Sequence, residues 1–130
     1  MKRVILAAVA VFLTWSVLDF VIHGVILASS YAATPSLWRP MQEMKMAVMY
    51  LSVLIAALCF VLVYALFFAN KRISTGLRYG VLFGTGVGVS MGYGSYSVMP
   101  IPYHMALTWF LGALVEATLG GLLLGMILRK

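Results

Sequence analysis

Glycine recurs at every fourth position in the stretch GLRYGVLFGTGVGVSMGYG, at Gly76, Gly80, Gly84, Gly88 and Gly92. In water this reads as a broken helix, because each helical glycine costs about 1 kcal/mol relative to alanine. In a bilayer the backbone must satisfy its own hydrogen bonds, so a helix persists there. Residues four apart lie on one face. The glycines therefore make a face without side chains, where a second backbone approaches closely. Each step of four overshoots a turn by about 40° on a straight helix, so the face drifts by about 160° between Gly76 and Gly92. That drift predicts a helix in the middle of a bundle, touching at least two neighbours.

The membrane setting follows from composition. The chain has 130 residues and is 64% hydrophobic and 9% charged. A soluble domain of this size has no means of hiding so much apolar surface. Long apolar runs dominate, which is the pattern of a membrane protein, and they fit a single domain over residues 1–130. The net charge is +6, but the basic residues stand in short clusters between apolar runs. That is the pattern of membrane topology and not of nucleic-acid binding. The only cysteine, Cys59, lies inside an apolar run and has no internal disulfide partner.

Four transmembrane helices are predicted, over about residues 4–28, 46–69, 77–97 and 105–128, in an all-α bundle. The first run follows Met1-Lys2-Arg3. It is too long for a secretory leader, and its small residues come too late for a cleavage site. Ser29 to Lys45 forms the one substantial loop. Thr34-Pro35 reads as a helix start, with threonine as cap and proline at the first helical position. Trp38 and Arg39 suit a membrane boundary, and Pro40 limits the helix, so a short interfacial helix is expected there. Pro100 and Pro102 end the third span. Leu13-Thr14-Trp15 and Leu107-Thr108-Trp109 echo each other, but the Asp, His and Glu positions do not superpose and chance explains the match.

Orientation follows from the basic residues. Lys2, Arg3, Lys71, Arg72, Arg78, Arg129 and Lys130 fall on one side, and Arg39 and Lys45 on the other, a split of seven to two. This bias places both termini in the cytoplasm and the long loop outside.

Two acids lie within the spans, Asp19 and Glu116, with no lysine or arginine deep enough to pair with them. Asp19 is about 14 Å from the outer end of its helix and Glu116 about 16 Å from the outer start of its own. His23 lies one turn above Asp19 on the same face, and Trp15 one turn below. Gly112, Glu116 and Gly120 share a face. Asp19, His23 and Glu116 are thus expected to converge in the outer half as a buried cluster. Two carboxyls brought together away from water do not both ionise, so the cluster is expected to retain a proton. Three roles stay open: a structural hydrogen-bonded knot, a proton or cation site for transport or sensing, and a metal centre.

His104, at the mouth of the last helix, is a candidate contributor and, with His23, a conceivable haem ligand, although the two differ in depth and no second pair exists. Tyr93 and Tyr96 suit an aromatic belt, yet each hydroxyl lies in the outer half, within reach of the cluster. Met41, Met44, Met46 and Met49 resemble copper(I)-binding methionine tracts but point several ways around a helix. Gly92-Tyr93-Gly94 matches a channel-filter triplet but ends a full-length helix. Metal and cofactor thus stay unassigned. Gly121 and Gly125, continuing Ala113 and Ala117, form a second small-residue face.

The chain resembles a family of small four-helix bacterial membrane proteins catalogued as a domain of unknown function. The resemblance rests on DFVIHGVILASSY, PSLWRPM, the glycine-rich third helix and TWFLGALVEATLGGLLLGMI. It implies the four-helix architecture and a bacterial inner membrane, and supplies no activity. Two functional readings follow. One is a small protein that binds a proton or cation through Asp19, His23 and Glu116. The other is an accessory subunit or homo-oligomer, docking on itself or on other membrane chains through its glycine faces. No nucleophile-base pair or phosphate loop appears, so an enzyme is not expected.

Overall fold

The structure is a computed structural model describing residues 1–129. Lys130, counted above among the basic residues that set orientation, lies outside the described residues. Among the described residues there are helices and turns and no strand. The first helix, α1 (Lys2–Asp19), continues without a break into a π turn (Phe20–Ile26). A short α2 (Ala28–Ala33) and two 3-10 turns (Pro35–Leu37 and Met41–Glu43) lead to α3 (Met46–Phe67). The glycine-rich segment forms α4 (Ile73–Val89), a second π turn (Ser90–Gly94) and α5 (Ser95–Val98), all in one unbroken rod. The last helix is α6 (Tyr103–Ile127).

Among the described residues three helices are long and apolar enough to cross a membrane: Lys2–Ile26, Met46–Phe67 and Tyr103–Ile127. The expectation of four is corrected on this measure, because the glycine-rich rod does not qualify. As one rod from Ile73 to Val98 it is long enough, but glycine, serine, threonine and Arg78 dilute its apolar character. The interfacial helix is also corrected, to α2 followed by two single 3-10 turns. Thr34 does not cap the turn at Pro35. Its hydroxyl donates to the Ser30 carbonyl at 2.9 Å and accepts from Trp38 Nε1 at 2.9 Å.

All five glycines of the repeat face α6. A methyl group at Gly76 would strike the Gly121 carbonyl, at Gly80 that of Ala117, and at Gly92 that of Ala106. At Gly84 it would sit 2.9 Å from Leu114 Cα, and at Gly88 2.7 Å from the Phe110 carbonyl. The expected drift onto a second partner does not occur. A contact row repeating every four residues, more than the 3.6 of a straight helix, is followed when two helices coil right-handedly around each other. The π turn at Ser90–Gly94 widens the helix and removes part of the remaining overshoot. Gly121 and Gly125 belong to the same contact: a methyl at Gly125 would lie 2.6 Å from Ile73 Cα.

The central helix is therefore α6, which packs on α4 along one face and on α1 along another. The glycine rod reaches a second neighbour only with aromatic side chains. Tyr79 stacks on Phe60 of α3 at 4.6 Å between ring centroids, and its hydroxyl donates to the Phe60 carbonyl at 2.9 Å. A core of Ala7, Val11, Trp15, Phe60, Val61, Tyr64 and Leu124 fills the space between these helices. A smaller group of Ile22, Leu27, Ile101, Met105 and Ala106 closes the end that carries the loops. At the opposite, basic end the chain termini meet, where Arg3 Nη1 donates to the Arg129 carbonyl at 3.2 Å.

These contacts predict opposite effects for two neighbouring alanine substitutions. Gly80→Ala forces two backbones apart and should destabilise by about 1–3 kcal/mol. Gly86 has nothing within 4 Å of a new methyl, so Gly86→Ala should be neutral or stabilising by up to about 1 kcal/mol. Thermal unfolding in mild detergent checks this; equal effects would contradict the packing described.

Candidate functional site

The seam between α1 and α6 is narrow on both sides of Glu116. A methyl at Gly112 would lie 2.8 Å from Ile22 Cδ1, and one at Gly120 would lie 3.1 Å from Trp15 Nε1. Trp15 Nε1 donates to the Glu116 backbone carbonyl at 2.7 Å, fixing the register of the two helices. At that register the Asp19 and Glu116 carboxyls lie close enough to interact electrostatically across the seam. Glu116 Oε1 is enclosed and has no hydrogen-bond partner among the described residues.

His23 stands next in line. Its Nε2 lies 3.8 Å from Asp19 Oδ1, close enough for electrostatic attraction but too far for a hydrogen bond. Asp19 is the last residue of α1, and His23 sits inside the π turn that follows. The wider π turn stacks residues four apart more directly than an α-helix does. Among the described residues His23 is the one basic group within ion-pair distance of either acid.

The expected burial is corrected. No charged residue is buried among the described residues. Asp19 and Glu116 are half-buried, and the side chains of His23 and Asp19 are 43% and 31% exposed. The seam lies at the side of the bundle, and no residue from Met46 to Ser52 of α3 is buried against it. No group of three His, Cys, Asp or Glu among the described residues is arranged to hold a metal ion, so the metal-centre alternative finds no ligand set here.

A polar and aromatic cap leads from His23 to the loop end. His23 Nδ1 and the Tyr31 hydroxyl are 2.6 Å apart, and Trp109 Nε1 donates to the same hydroxyl at 3.0 Å. An indole N–H is a donor only. The phenol accepts from Trp109; the Asp19 carboxylate facing His23 Nε2 favours the imidazole hydrogen there, and in that tautomer the phenol gives its own proton to His23 Nδ1. Burial raises the Tyr31 phenol above its ordinary value, more than the Trp109 hydrogen bond lowers it, and the Asp19 carboxyl adds a smaller upward push. Tyr31 thus stays an O–H donor through neutral pH. With Nδ1 accepting, neutral His23 carries its hydrogen on Nε2, facing Asp19. Trp38 packs edge-on against both Tyr31 and Trp109.

The remaining candidates lie elsewhere. His104 Nε2 is 2.8 Å from Ser30 Oγ, beside the cap but not in contact with the acids. The hydroxyls of Tyr93 and Tyr103 are 3.1 Å apart, and Tyr96 packs edge-on against Tyr103. Tyr93 also packs on Phe110, in the contact between the glycine rod and α6, so neither tyrosine reaches the acids. Met41, Met44, Met46 and Met49 are all exposed along the loop and the first turn of α3. Tyr31 and Trp109 were missed from sequence. Trp109 lies on the Gly112–Glu116 face of α6, two turns before Glu116, so extending that face would have found it. Tyr31 lies eight residues after His23, the i, i+8 spacing of one helix face, so extending the Asp19–His23 face past the predicted end of the span would have found it. Comparison with protein-family models, curated proteins and solved structures finds no match.

The tautomer is directly measurable. Nitrogen-15 NMR of labelled histidine should show His23 with hydrogen on Nε2 near neutral pH, and Tyr31→Phe should yield a mixture of tautomers. Hydrogen on Nδ1 in the parent protein would contradict the bond directions derived above.

Proposed function

We propose that this is a small, non-catalytic integral membrane protein that holds a proton between Asp19 and Glu116 and exchanges it with the loop side through His23. The observation that carries the reading is the paired carboxyls on the α1–α6 seam, with His23 as their one basic neighbour. Like charges so close in a low-dielectric setting do not both ionise, so one proton is shared. Ionisable residues at such depth are costly to keep and commonly mark proton or ion paths. His23 is the half-exposed group between the pair and the loop end, and Tyr31 holds its ring in place.

The glycine-rich rod is the fourth membrane crossing in this reading. It runs beside α6 from Gly125 to Ala106, a length of about 28 Å at 1.5 Å per residue. That is close to the hydrocarbon thickness of about 30 Å. If α6 crosses the bilayer, its companion crosses with it, and its glycines face protein instead of lipid. The basic end is cytoplasmic by the bias of its charges. The resemblance to small bacterial proteins implies an inner membrane; it finds no supporting match and enters as part of the proposal.

The alternative of docking on partner chains through glycine faces loses its surface. Gly76, Gly80, Gly84, Gly88, Gly92, Gly121 and Gly125 all line the internal contact of the rod with its neighbour.

Two measurements test the reading. Infrared difference spectra of the protein in liposomes should show a protonated carboxyl band near neutral pH. Asp19→Asn and Glu116→Gln should each remove it while the helices persist. No such band in the parent would exclude a shared proton. For topology, cysteines placed at Ser36 and at Arg129 should label from opposite sides of sealed vesicles; labelling from the same side would overturn the orientation.

A further inference from the structure

We infer that the groove between the end of α3 and the first turns of α4 is a binding slot for one anionic phospholipid. The slot has a volume of about 460 Å³ and is lined by Phe68, Thr75, Arg78, Tyr79, Leu82 and Phe83. The five α4 residues follow the i, i+3, i+4, i+7, i+8 pattern of a single helix face. Their order along the helix is chemical. Thr75 and Arg78 come first, at the basic end, and Leu82 and Phe83 lie one to two turns further toward the middle. A hydroxyl and a guanidinium thus precede an apolar trough about 12 Å long from Thr75 to Phe83. A phospholipid in the adjoining leaflet has the same sequence of groups, phosphate then acyl chain.

Charge complementarity fixes the sign of the headgroup. The chain has three acids, Asp19, Glu43 and Glu116. Glu43 lies in the loop, and the other two lie on the α1–α6 seam. None is at the basic end to pair with Arg78. Lys71 is committed to the Phe68 carbonyl at 2.7 Å, at the rim of the slot, and adds positive charge there. A guanidinium within a membrane reaches back along its stem toward the interface. There it meets a phosphate with two parallel N–H donors. The floor is rigid, because Phe83 packs on both Phe60 and Tyr79 in the aromatic cluster. The acyl chain lies over Leu82, which is 75% exposed without it.

The inference rests on the membrane placement proposed above but not on the proton site, and its test needs neither orientation nor proton transfer. The full chain in neutral detergent is mixed with equal amounts of phosphatidylglycerol and phosphatidylcholine, and bound lipid is counted by native mass spectrometry. The expected result is a preference of about five-fold for phosphatidylglycerol, the effect of one basic residue on an anionic lipid. Arg78→Gln should reduce it to parity. Its side chain is exposed, so the melting temperature without lipid should not change. Leu82→Gln should weaken binding of both lipids. Equal binding of the two lipids by the parent, or an undiminished preference in Arg78→Gln, would overturn the inference. Displacement of the lipid by millimolar inorganic phosphate would also overturn it, by showing a simple anion site. In any of these cases the carboxyl band of the proton site is unaffected.

Discussion

The contact on which the rest of the structure depends is the backbone-to-backbone approach of the glycine rod to α6. Five glycines on one helix meet Ala106, Phe110, Leu114, Ala117 and Gly121 on the other, several of them at main-chain carbonyls. In lipid there is no hydrophobic force to drive two apolar helices together. Close dispersion contact along their whole length does so instead, and only residues without side chains permit it. Once α6 is fixed in this way, the adjoining face is free to receive α1. Gly112 and Gly120 accept Ile22 and Trp15 there, and Trp15 sets the register by its bond to the Glu116 carbonyl.

Register is what makes a site. A slip of one turn along the α1–α6 seam moves one acid about 5 Å past the other. The tryptophan bond and the two glycines hold the pair opposed. The π turn after Asp19 then turns His23 back over it, and the Tyr31–Trp109 pair orients the imidazole. The same seam is open at its side, which leaves His23 partly exposed. In the proposed reading, a proton held by the acids is one side chain away from the loop end of the molecule. Enclosure is limited, because the seam lies at the side of the bundle and the first turns of α3 do not cover it.

Much of this was legible in the sequence, and the losses have physical causes. Depth counting along two helices put Asp19 and Glu116 at one level, because rise per residue is nearly invariant in a helix. The glycine face was legible for the same reason, since a period of four is unambiguous. Its partner was not. The period of four already calls for right-handed coiling, which a straight-helix reading ignores, and the π turn leaves no residue signature, so Gly76 to Gly92 follow one neighbour where a straight helix would need two. The burial of the acids was overestimated because sequence says which residues share a level but not which side of the bundle is left open. Tyr31 was missed because the predicted span ends at about residue 28, whereas helix resumes after Leu27 and carries the Asp19–His23 face on to Tyr31. The rod itself illustrates the limit of hydropathy: glycine counts as weakly polar, although here its backbone is covered by α6.

The proposed site requires Asp19 and Glu116 to face each other across the α1–α6 seam and share a proton. The most direct measurement is solid-state NMR of the protein in bilayers, with carbon-13 confined to aspartate and glutamate carboxyls. The account predicts a dipolar contact between the Asp19 and Glu116 carboxyl carbons, and a change in the Glu116 signal in Asp19→Asn. Two isolated carboxyl signals without that contact, each indifferent to replacement of the other, would contradict it.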